Sequence, residues 1–211
     1  MKRLYSGKFI TLEGCEGVGK SKQISYLKEY FEKNKIPYIL TREPGGTSIS
    51  EQIRKVILDG KNSEMTNECE ALLYAAARAQ HLNDTVIPAL KEGKVVLCDR
   101  YIDSSLAYQG YARGLGIDFV EKINVFAING FMPDVTLFLN LSPEMAFKRK
   151  GGVDKNDRVE LSGMDFHNKV YEGYLDLVKK YPERIVDIDC SGEKEETHAK
   201  IIKALKDKGI I

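Results

Sequence analysis

The chain has 211 residues, 43% hydrophobic and 30% charged, which excludes a disordered chain and fits one globular domain, 1–211, with a full core. Its 32 lysines and arginines against 31 aspartates and glutamates leave a net charge of +1, so no global field recruits nucleic acid or a membrane surface, and any anion must be held locally. No apolar run approaches membrane-spanning length, and "MKRLYSGKF" lacks the apolar core of a secretory leader.

Short apolar runs alternate with longer amphipathic stretches. Phe9–Leu12 is the first expected strand and 20–34 the helix after it. Strand Tyr38–Leu40, helices 48–59 and 67–91, and strand Val95–Cys98 follow. Helix 118–130, strand Val135–Leu141, helix 164–180, strand Ile185–Ile188 and helix 194–207 complete the chain. This alternation predicts an α/β fold of three layers, a five-stranded parallel sheet flanked by helices and joined by right-handed crossovers. Such sheets bind ligands beyond the carboxyl ends of their strands, so the chemistry is expected just after each apolar run.

After the first strand, "GCEGVGKS" matches G-x-x-x-x-G-K-[ST]: Gly14, Cys15, Glu16, Gly17, Val18, Gly19, Lys20, Ser21. Glycines let backbone N–H groups converge on an anion without a Cβ in the way, and the helix that follows adds the partial positive charge of its N-terminus. The loop is therefore expected to hold ATP phosphates, with Lys20 on the β- and γ-phosphates and the Ser21 hydroxyl available to Mg²⁺. A thiol inside this loop raises the expectation that Cys15 reacts with alkylating agents, helped by helix-end charge; a packed, inert cysteine is the alternative.

After the second run comes "TREPGGT", where Arg42 can hold a second phosphate or pair with a neighbouring carboxylate such as Glu43. After the third, Asp99 stands where a phosphate-loop protein needs a carboxylate for Mg²⁺, and Arg100 adds another phosphate-binding cation. In "EALLYAAARAQHL", Tyr74 and Arg78 are four apart and share a helix face, able to stack on a flat base and bond its carbonyl. The segment 147–160, "FKRKGGVDKNDRVE", reads as a basic lid, with Arg149 and Arg158 as candidates to close over a phosphate. Cysteines 15, 69, 98 and 190 lack C-x-x-C spacing and are expected as reduced thiols of a cytoplasmic protein.

Two phosphate clusters, a metal carboxylate, a base-stacking helix and a basic lid together suit a nucleoside monophosphate kinase. The chain resembles the bacterial thymidylate kinase family over essentially its whole length, most specifically in "LCDRYIDSSLAYQ" at 97–109 and "REPGGT" at 42–47. The resemblance implies the P-loop NTPase fold, phosphorylation of dTMP by Mg²⁺–ATP, and a homodimer, with helix 120–131 as one source of the interface. It implies that Arg42 and Arg100 hold the dTMP phosphate, that Glu16 contacts the sugar 3′-OH, and that Tyr74 stacks on thymine. It further implies that Arg78 bonds O4, that Ser105 and Gln109 read the base edge, and that Tyr108 crowds C2′ and disfavours ribose. Gly17 stands where some members carry a catalytic arginine, which passes that role to the lid; Arg158, in a "DR" pair, is the first expectation and Arg149 the second. A kinase of UMP or dUMP, or a nucleotide-dependent switch without acceptor chemistry, are the rival readings.

Overall fold

The computed structural model describes residues 5–151 and 157–211. Five strands form one parallel sheet in the order β2-β3-β1-β4-β5: β1 Lys8–Glu13, β2 Tyr38–Arg42, β3 Val95–Asp99, β4 Val135–Asn140 and β5 Ile185–Asp189. β1, β3 and β4 are almost wholly buried, so their inner positions are apolar on both faces: Phe9, Ile10, Leu12, Val96, Leu97, Val135, Leu137 and Leu139 are all at most 1% exposed. Register aligns the strand ends that carry the chemistry. Leu12 of β1 and Arg42 of β2 both pair with Asp99 of β3, so the phosphate loop, Arg42 and Asp99 leave the sheet at one edge.

The helices are α1 Lys20–Lys33, α2 Ser48–Leu58, α3 Asn67–His81, α4 Ile87–Lys91, α5 Ile102–Ser105, α6 Ile117–Ile128, α7 Pro143–Lys150, α8 Met164–Lys180 and α9 Lys194–Asp207. All five expected strands are present, β2 running two residues further than the apolar run, to Arg42. Where one helix was expected over 67–91, a π-helical turn at Leu82–Val86 joins α3 to α4, just ahead of Pro88, whose missing N–H breaks the regular ladder. A second π-helical stretch, Leu106–Ala112, continues α5. Neither α5 nor α7 was expected. α7 is short and mostly polar, but its ends are marked: Ser142 accepts from the Met145 N–H at 3.5 Å, Pro143 takes the first turn, and Gly151 closes the helix at φ 84°. Residues 147–150 of the expected lid are thus the last turn of a helix, 157–160 return to the body of the protein, and 152–156 lie outside the described residues. Among the described residues no helix is long and apolar enough to cross a membrane.

A polar network is buried within the sheet layer. Thr11 and Thr136 share a hydroxyl hydrogen bond of 2.8 Å, Thr136 donates to Asp103 at 3.0 Å, and Arg184 grips both oxygens of Asp103 at 2.5 and 2.7 Å. Asp103 is 0% exposed, so its charge depends on that bidentate partner. Replacing Arg184 with methionine would leave a buried carboxylate unpaired, and the urea-unfolding free energy is expected to fall by about 3–5 kcal/mol.

Candidate active site

The phosphate loop forms as its glycines require. Gly14, Gly17 and Gly19 have φ of 137°, 80° and 100°, and a Cβ at Gly17 would lie 2.4 Å from the Ala146 carbonyl of α7, so only glycine fits there. Gly19 opens α1, and Lys20 folds back over the loop, donating to the carbonyls of Gly14 at 3.1 Å and Cys15 at 2.9 Å. Burial depresses the Lys20 pKa, with Arg100 adding to the effect. A cleft of about 520 Å³ opens at the loop, and Glu16, Lys20, Ser21, Arg42, Asp99 and Arg100 all line it.

Arg100 sits at φ 70°, a left-handed backbone that an arginine adopts only when its surroundings impose it. Its guanidinium donates to the Gly14 carbonyl at 2.9 Å, Ser104 Oγ at 3.1 Å, the Tyr174 hydroxyl at 3.2 Å and the Glu16 carboxylate, and lies over the Tyr108 ring at 5.2 Å. Burial works to raise the Glu16 pKa, but Arg100 and Lys20 outweigh it and hold the group down at about 2. Asp99 Oδ1 is buried without a hydrogen-bond partner, and Ser21 lines the same cleft. A hard, oxygen-seeking cation held by one carboxylate, one hydroxyl and phosphate oxygens suits this donor set, so the residues fit Mg²⁺.

Across the cleft, Arg78 is 1% exposed and tightly held. Its Nε donates to Glu43 at 2.8 Å, Nη1 to Asn124 at 2.5 Å, and Nη2 to the Tyr101 carbonyl at 3.1 Å and Ser105 Oγ at 3.0 Å. Four of its five N–H groups are thereby used, leaving one on Nη1 for a ligand. Glu43 is therefore not the partner of Arg42: it turns inward to Arg78 and to His81 Nδ1 at 2.8 Å, and Arg42 pairs with Glu51 at 3.0 Å on a half-exposed surface. Tyr74, Tyr108 and Gln109 also line the cleft, whereas Ser105 reaches it only through Arg78. The Tyr108 hydroxyl is buried with no hydrogen-bond partner.

The two lid arginines part company. Arg149 lines the cleft, its guanidinium anchored on the carbonyls of Cys190 and Ser191 at 2.8 Å each, and Lys150 beside it lines the cleft as well. Arg158, the first expectation, does not line the cleft. It donates to the Ile57 carbonyl at 3.0 Å and to the Glu70 carboxylate. Cys15 is 1% exposed, and burial pushes its thiol up to about 11, which overturns the expectation of a reactive thiolate.

Sequence reasoning missed Arg54, Lys150 and Glu160, which line the cleft, and Glu13 beneath the loop. Glu13 is 0% exposed and accepts from the Tyr101 N–H at 2.7 Å, Ser104 Oγ at 2.6 Å and the Tyr174 hydroxyl at 2.8 Å. The one signal was a charged residue ending an otherwise apolar strand.

A family profile described as thymidylate kinase matches residues 12–201. The chain belongs to the thymidylate kinase family. It is 57% identical over 187 residues to a thymidylate kinase of Clostridium novyi, covering 88% of this chain and 91% of the relative. It is 54% identical over 192 residues to one of Bacillus velezensis, covering 90% and 91%. Its fold is that of a crystal structure of thymidylate kinase from Ehrlichia chaffeensis, with TM-score 0.78, 31% identity, and 95% and 99% of the two chains covered.

Burial, then the neighbouring Asp103, raises Glu13 to about 7, over the opposing pull of Arg100 and the two hydroxyls. The folded protein therefore keeps a proton that the unfolded chain has already lost above its ordinary glutamate range. That stability is present in full below pH about 4.5 and is lost as pH rises toward about 7. Urea midpoints measured across this window should fall for the parent, and the slope should flatten in Glu13→Gln.

Proposed function

We propose that this chain transfers the terminal phosphoryl group of ATP to the phosphate of dTMP, yielding ADP and dTDP. The observation that carries this reading is one continuous cleft with a phosphate loop on one wall and a buried polar edge, Arg78 and Gln109, on the other. A switch that only binds and hydrolyses a nucleotide has no use for that second wall.

The acceptor is already an anion, so the chain needs positioning and charge more than a base. On the donor side the loop N–H groups and Lys20 take the ATP phosphates. Asp99 and Ser21 would hold Mg²⁺, which supplies positive charge to the donor phosphates. Lys20 exchanges its two carbonyl contacts for phosphate oxygens, at small net cost because it is already buried. Arg42 releases its exposed pairing with Glu51 for the acceptor phosphate; so exposed an ion pair is worth little, which makes the exchange cheap. Arg100, already oriented by Glu16, Ser104 and Tyr174, spans donor and acceptor. Arg149 is the cation assigned to the transferred group, supported by its place on the cleft wall, and Arg158 is assigned a structural part instead. Enclosure of the two phosphates by these side chains excludes water that would otherwise take the phosphoryl group.

For the acceptor base, Tyr74 offers a ring face, the free Arg78 N–H bonds O4, and Gln109 meets the N3 edge. Tyr108 packs against C2′, and Glu16 accepts from the 3′-OH. Coupled ADP release with Mg²⁺–ATP and a panel of dTMP, dUMP, UMP, dCMP, AMP and GMP tests the reading. Turnover should be strong with dTMP and far weaker with UMP. ADP release indifferent to the acceptor would discard the kinase assignment in favour of the switch, and a best rate with another monophosphate would discard the base pocket.

The same reading includes a homodimer. α3 and α6 pack side by side and expose Leu72, Val125 and Phe126, the last 94% exposed, more apolar surface than an isolated helix pair keeps in water. Sedimentation should give a dimer, and Phe126→Glu should shift it to monomer at micromolar concentration; a monomeric parent contradicts the assignment.

A further inference from the structure

Glu70, on the first turn of α3, is 1% exposed, and the polar groups printed around its carboxylate are all donors. Gln109 Nε2 at 2.8 Å and Arg113 Nε at 3.3 Å reach Oε1; Arg113 Nη2 at 3.2 Å and Arg158 Nη2 reach Oε2. The arginines are fixed in turn. Arg158 is tied to the Ile57 carbonyl at 3.0 Å, and Arg113 lies over the Phe166 ring at 4.2 Å. Burial opposes the charge on Glu70, but Arg113, Gln109 and Arg158 together bring its pKa below the usual range, so the group stays ionised and can only accept.

A carboxamide facing an obligate acceptor has one choice. Gln109 must turn its NH₂ to Glu70, and this leaves its carbonyl oxygen, without a protein partner among the described residues, as the group offered to the cleft. We propose that Glu70 is a specificity-determining positioning residue, fixing the Gln109 amide so that the acceptor base must present an N–H donor. Thymine and uracil do so at N3; cytosine presents a lone pair there, and two acceptors would face each other without a proton. This rests on the reading that Gln109 meets the acceptor base.

Glu70→Gln preserves volume and replaces one oxygen by NH₂. Arg113 and Arg158 both draw the remaining oxygen to the Oε2 side, so the new NH₂ faces Gln109. The Gln109 amide must then turn over and show its own NH₂ to the base. The ratio of kcat/KM for dTMP over dCMP is expected to fall at least about tenfold, with the loss for dTMP mostly in KM. A role confined to holding α3, the π-helical stretch and Arg158 together would lower both substrates alike and leave the ratio unchanged, and that result overturns the proposal. Absence of acceptor-dependent turnover in the parent overturns both the function and this inference, whereas dTMP turnover with an unmoved ratio overturns Glu70's role alone. Should Glu70→Gln fail to fold, neutron diffraction from parent crystals with dTMP decides. Deuterons of Gln109 directed at Glu70 with its oxygen on N3 support the proposal, and the reverse amide overturns it.

Discussion

Arg100 is the point on which the two halves of the site depend. It is a buried cation held by the loop at Gly14 and Glu16, by α5 at Ser104 and by α8 at Tyr174, on a backbone of φ 70°. A guanidinium with fixed donors loses little freedom when it takes a phosphate oxygen, so its electrostatic contribution to phosphoryl transfer needs little reorganisation. The left-handed backbone follows from the geometry. The chain must leave β3 at Asp99, turn at once, and send one side chain over the loop while Tyr101 enters the core, where it is 0% exposed.

Beneath Arg100 the charges are layered. Glu13 supports Ser104 and Tyr174, which support Arg100; Asp103 stands below, matched by Arg184. A carboxylate pair this close could not both be ionised and unpaired, and the layers avoid that by pairing one and protonating the other at moderately acid pH. The same device recurs on the acceptor side. Glu43 fixes Arg78 and His81, and Glu70 fixes Gln109, Arg113 and Arg158, so the groups that meet a ligand are held from behind by buried acids. The polar interior is costly to bury but specifies orientation, and orientation is what distinguishes one pyrimidine edge from another.

The strands, the main helices and the phosphate loop were legible in the sequence because each rests on local chemistry. Apolar runs too short for helices must be buried strands, and Gly14, Gly17 and Gly19 before Lys20 leave few backbones open. Asp99 and Arg100 were legible by position, since a parallel sheet delivers its strand ends to one edge. α7 was missed because eight mostly polar residues carry no periodicity; only its capping residues mark it. The reactive Cys15 was wrong for a related reason: helix-end charge is a local signal, and the burial that defeats it is not.

What the sequence determined by itself is therefore the fold class, the loop and the family, all of which depend on residues near one another in the chain. The tertiary structure decided partnership. That Glu43 belongs to Arg78 and not to Arg42, that Arg149 and not Arg158 faces the cleft, and that Glu70 orients Gln109 are contacts across dozens of residues. A charged side chain can pair with many others in a chain so rich in both signs. Only packing, which removes water from a few of those pairs and leaves the rest exposed, determines which of them persist.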